Sequence, residues 1–160
     1  MAFVFRKIEK DGEEIIPYPT VELYEHTVMK GAQAGAVLPM LFSPPLLYAF
    51  NRQIKWNEML QRTAKYSLRG SIIGAVLLIP MTYMRIRDQS DIQIYDRSYR
   101  IRYNKLQVRC DRISAVTAGV GAVAGVMGWS SLGALTGGLY GASLGLGVGV
   151  FLHVTISRII

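Results

Sequence analysis

The chain has 160 residues, 51% of them apolar, and carries 18 basic against 11 acidic side chains for a net charge of +7. A mean hydropathy of +0.25 in so charged a chain requires the charges to be segregated from the apolar residues. They crowd into Arg52–Arg69 and Arg85–Arg112. Basic residues flanking apolar stretches fit membrane topology and anionic headgroups. No aromatic–basic motif points to nucleic acid.

Residues 1–25 read as a polar tail, with Asp11-Gly12 as a turn signal and Pro17 and Pro19 favouring extended backbone. The start is neither a secretory signal nor a cleavable transit peptide, because its apolar run is short and acidic residues follow at once. Any mitochondrial targeting information is then internal.

A first span is expected at about 26–50. A helix should run from about Thr20 to Leu38, kink at Pro39 and break at Ser43-Pro44-Pro45, since each proline removes a donor and crowds the preceding turn. Lys30 can snorkel if it lies near a membrane surface. Gly31 and Gly35 give the helix a close-packing face. A basic connector follows, with Trp56 placed at headgroup depth, and then a second span at about 66–84. Gly70 and Gly74 repeat the four-residue spacing there, and Pro80 sits near the far end.

Arg85–Arg112 holds eight basic and four acidic residues with aromatics between them, and is expected to be helical from about Ser98 into the third span. Its plain reading is a positive rim at the headgroups. Arg97, Arg100, Arg102, Lys105, Arg109 and Arg112 are the candidate lipid contacts, and an anionic phospholipid such as cardiolipin is the candidate ligand.

From Ala115 to Val150 there is no charge. A third span is expected at about 113–129 and a fourth at about 132–156, joined by a tight Gly128-Trp129-Ser130-Ser131 turn. Interior glycine costs a soluble helix about 1 kcal/mol relative to alanine, yet Gly133, Gly137, Gly141, Gly145 and Gly149 recur every fourth residue. With Gly119, Gly121 and Gly125 on the preceding span, they are the candidate packing faces of an antiparallel hairpin. The expected fold is an all-α membrane protein of four glycine-packed helices with a proline-kinked first helix.

Nothing in the sequence calls for catalysis. Cys110 is the only cysteine, and His26 and His153 lie far apart, so neither a disulfide framework nor metal-ligand spacing is present. Ser114, Thr117, Thr136 and Ser143 suit helix cross-bonding or bonding back to their own turns.

Asp111 is followed after six residues by Ala118-Gly119. With the four glycine-rich spans and the charged tail, this resembles the mitochondrial inner-membrane preprotein-translocase channel family, which includes a translocase-like accessory subunit of respiratory complex I. The family's signature arginine falls on Gln107, its second glycine on Val123 and its aromatic on Asp96, one position after Tyr95. The resemblance implies localisation in the mitochondrial inner membrane, with other membrane subunits of a respiratory complex as partners. It implies a non-catalytic accessory subunit, of NADH:ubiquinone oxidoreductase above all; the alternative is a preprotein or solute channel. Four spans put both termini and the basic middle loop on one side. The positive-inside rule would make that side the matrix, whereas the resemblance makes it the intermembrane space.

Overall fold

A computed structural model describes residues 16–159. Most of the tail, including the Asp11-Gly12 turn, lies outside the described residues. The described chain is all-helical: α1 (Pro19–Phe50), α2 (Trp56–Ile86), α3 (Asp91–Tyr103), α4 (Lys105–Gly128), a single 3-10 turn at Ser130–Leu132, and α5 (Ala134–Ile159). Among the described residues three helices are long and apolar enough to cross a membrane: α2, α4 and α5 over Ala134–Ser157. α1 has 32 residues and is not among those three.

Three boundaries depart from the sequence expectation. α1 does not break at Ser43-Pro44-Pro45; it stays helical through all three prolines to Phe50. A side chain at Gly70 would crowd the Pro39 ring, so the missing side chain on α2 leaves room for that proline to pack within a continuous helix. The connector after α1 is short, because α2 already begins at Trp56. The middle segment turns helical at Asp91, where Ser90 and Gln93 form a capping box. That helix does not continue into the next one. It ends at Asn104, whose side chain accepts from the Gln107 N–H and starts α4.

The helices pair into two antiparallel hairpins, α1–α2 and α4–α5, joined through α3. In the first, a methyl group built at Gly31 or Gly35 would overlap the carbonyl of Gly74 or Gly70, and the reverse holds as well. In the second, Gly121 meets Gly141, Gly125 meets Gly137, Gly145 lies on the Thr117 carbonyl and Gly149 on Ser114 and Thr117. Backbones this close gain dispersion and Cα–H···O contacts that any side chain would abolish. Two glycines expected on these faces are not there. Gly119 faces open space. Gly133 also has no neighbour within 4 Å; its φ of 84° makes the turn into α5.

α5 packs against α1 and α2 as well as α4, so it is the central helix of the bundle. Serine hydroxyls stitch the seams: Ser67 donates to the Ala36 carbonyl at 2.8 Å and Ser143 to the Ala64 carbonyl at 3.2 Å. Met40 and Ala36 lie against Gly147, closing α1 on α5. The interior is small and polar, and the surface is greasy. The largest fully buried side chains are Asp111, Ser67, Ser98 and Ser114, while Phe42, Leu46, Ile73, Leu77, Val120 and Leu135 stand exposed. Water would penalise so extensive an apolar surface. Lipid does not, and leaves packing and hydrogen bonds to hold helices together.

Candidate functional site: a buried ionic cluster between the hairpins

On α1, His26, Lys30 and Gln33 follow at spacings of four and three residues, which places them on one helix face. That face meets the start of α4 at Asp111, which is 1% exposed. Lys30 Nζ donates to Asp111 Oδ1 at 2.6 Å and to Gln33 Oε1 at 3.1 Å. Gln33 Nε2 donates to the same Asp111 oxygen at 2.8 Å. His26 Nδ1 lies 3.8 Å from Asp111 Oδ2. Lys30 therefore turns inward instead of snorkelling outward, although 28% of its side chain remains accessible.

A carboxylate this deeply buried is costly unless its charge is matched and its lone pairs are hydrogen-bonded. Here one ammonium and one amide converge on a single oxygen, and the group ties the first hairpin to the second. Removing one partner from such a pair costs about 3–5 kcal/mol, because the other charge is left behind. Cys110, also buried, flanks Asp111. Among the described residues no group of three His, Cys, Asp or Glu side chains could hold a metal ion.

A second ionic contact lies outside the bundle. Arg102 of α3 pairs with Glu22 in the first turn of α1, and the two side chains are 5% and 13% exposed. This lashes the amphipathic α3 across the start of α1. It also removes Arg102 from the set of lipid-facing candidates. Arg100 is exposed and bonded to Asp96, whose hydrogen bond and charge hold the guanidinium pKa up. Lys105 and Arg109 stand exposed, and Arg97 and Arg112 are half-buried.

The glycine seams leave two grooves open on the outer surface. One, of about 590 Å³, follows α1 and α2 from Lys30 to Pro39. The other, of about 530 Å³, follows α4 and α5 and reaches Asn57 of α2. Thr117 and Ser114 bond back to the Ile113 and Cys110 carbonyls of their own helix at 2.8 Å each, whereas Ser143 bonds across to α2.

The sequence places Lys30 in a span and Asp111 in a signature, without joining them, and Gln33 carries no signal of its own. His26 enters the sequence reading only as a histidine too far from His153 for metal-ligand spacing. The available signal was the spacing His26, Lys30, Gln33 on one face of a helix otherwise poor in charge. No curated protein matches the chain. The family described as "protein of unknown function (DUF1757)" matches residues 3–156, and the chain belongs to that family.

Proposed function

We propose that the protein is a non-catalytic structural subunit of a mitochondrial inner-membrane complex, NADH:ubiquinone oxidoreductase (complex I) above all. In this reading all four long helices cross the bilayer. α1 runs antiparallel to α2 along matched glycines, so a membrane-crossing α2 carries α1 across with it. The observation that carries the reading is the Lys30–Gln33–Asp111 cluster. Its hydrogen bonds are directed inward, to one another and across the hairpin boundary, as suits a fastener. The outer surface meanwhile presents long apolar helix faces to lipid or to neighbouring subunits. The translocase-family resemblance supplies the compartment and the complex.

The same cluster favours one competitor, a preprotein or solute channel, because ionisable groups within a bundle often mark a conduction path. Native-gel separation of mitochondrial membranes followed by mass spectrometry of each band tests the assignment. Co-migration with complex I and its subassemblies is expected. Migration with preprotein translocase components, or alone, would overturn it. Conductance by the purified protein in liposomes would establish the channel reading instead.

A further inference from the structure

The outer side of α2 differs from its glycine seam. Lys65, Arg69, Ile72, Val76, Ile79 and Tyr83 follow at alternating spacings of four and three residues, and all of them are exposed. α2 packs on α1 and α5 through a face that buries Thr63, Ala64, Ser67 and Ser71, so the exposed strip lies opposite that face. Alternating steps of four and three hold residues on the seam that one helix offers another. From Lys65 to Tyr83 the strip takes eighteen steps of about 1.5 Å, or about 27 Å, nearly the thickness of a hydrocarbon core.

Contacts fix the depth of its charged end. Ser43 donates to the Thr63 hydroxyl at 3.0 Å and Ser143 to the Ala64 carbonyl at 3.2 Å, which sets Lys65 level with the middle of the uncharged α4–α5 hairpin. Ser143 is nine steps from the start of α5 at Ala134, about 14 Å, close to half of a core roughly 30 Å thick. Around that level the other long helices expose Phe42, Val120 and Leu139. Trp56, at the start of α2, is nine residues from Lys65 and thirteen from Arg69, about 14 and 20 Å along the helix. Neither side chain is long enough to snorkel back to that end.

Arg62, on the same side of α2, is bonded to Glu58 at 2.6 Å. Among the described residues Lys65 and Arg69 have no such partner. As like charges one turn apart they also repel each other. Charges at this depth belong against protein or water and not against lipid tails.

We infer that this strip docks a membrane helix of a partner subunit, one with an Asp or Glu carboxylate level with Lys65 and Arg69 and apolar residues against Ile72 to Tyr83. Charge complementarity selects that occupant. Lipid tails carry no charge, and a phosphate headgroup would have to leave its interface. A second copy in the same orientation, related by a two-fold axis along the membrane normal, would set the basic ends against each other. The inference rests on the four-span part of the functional reading above and adds the chemistry of the neighbour. It does not depend on which complex that neighbour belongs to.

The test places a photoreactive side chain at Ile72 of the full-length protein, three residues beyond Arg69, and crosslinks it in the native membrane. One polypeptide is expected, with the crosslinked peptide in a membrane span that carries Asp or Glu within about two turns of the attachment point. Lys65→Glu with Arg69→Glu should lower the yield at least about tenfold, as the loss of a desolvated charge pair requires. Changing the partner's carboxylate to lysine in that background should restore the yield, which a fold-damaging substitution would not allow. Should the reversed protein fail to insert, Lys65→Leu with Arg69→Leu, which lipid would tolerate, should lower the yield as well. A crosslink to phospholipid, to a second copy or to a span without an acid overturns the inference. So does an unchanged yield in the altered proteins, or no crosslink to any polypeptide. A crosslink to an acidic span outside complex I would leave the inference standing and overturn that assignment. A crosslink to lipid in protein that co-migrates with complex I would do the reverse.

Discussion

Asp111 and Lys30 show how much one residue's setting matters. Each alone reads as an isolated charge in or beside a span, yet together they form an ion pair between the two hairpins in which Asp111 is 1% and Lys30 28% exposed. Asp111→Asn and Lys30→Met should each destabilise the purified protein by about 3–5 kcal/mol, read by denaturant titration in detergent micelles. The double variant Lys30→Met, Asp111→Leu should recover most of that loss, because two apolar groups leave no stranded charge. Wild-type stability in Asp111→Asn would remove the fastening role. Full structural recovery with lost conductance in the double variant would move the cluster from fastener to conduction path. The Glu22–Arg102 pair acts at the periphery, so Arg102→Met should loosen α3 alone. Faster tryptic cutting after Arg97 and Arg100, with the two hairpins intact, is the expected result. None of these pairings was legible in the sequence, because Lys30 and Asp111 lie 81 residues apart and periodicity reports only on one helix at a time.

At the scale of the helix, glycine spacing was informative and glycine identity was not sufficient. Gly121 and Gly119 are two residues apart, so they point to different sides of α4. A side chain at Gly121 would strike the Gly141 carbonyl, whereas one at Gly119 meets nothing within 4 Å. Gly121→Ala should therefore weaken the α4–α5 hairpin. Gly119→Ala should be neutral or add up to about 1 kcal/mol through helix propensity. Thermal unfolding of the two variants side by side checks this, and equal effects would refute the close-packing account. Gly137→Leu or Gly141→Leu should block insertion of the hairpin altogether, read as loss of membrane-integrated protein. The proline-rich end of α1 misled in the opposite direction. Local rules place a break at Ser43-Pro44-Pro45, yet the helix continues, because packing along a partner overrides a local preference. Asn104 ended α3 for a local reason, its cap on Gln107, hidden in the sequence by the continuous run of helix formers around it.

For the molecule as a whole, the pairing of hairpins fixes which loops share a face. The α1–α2 connector and the Trp129 turn lie at one end, with the start of α1, α3 and the end of α5 at the other. In a Cys110→Ala background, single cysteines at Tyr18 and at Gln53 should react with impermeant maleimide from opposite sides of the membrane. Reaction from the same side would mean that α1 does not cross. Charge segregation, apolar runs and the four-residue glycine repeat were enough to set an all-helical, membrane-suited chain and to mark most of the packing glycines, because helix geometry maps spacing directly onto a face. The tertiary structure alone decided that α5 is central, that α4 lies at the edge, and that Lys30, Gln33 and Asp111 close on one another. Those outcomes depend on which face meets which partner across long separations. A periodic pattern names the face of a helix, and only the packed bundle names what that face touches.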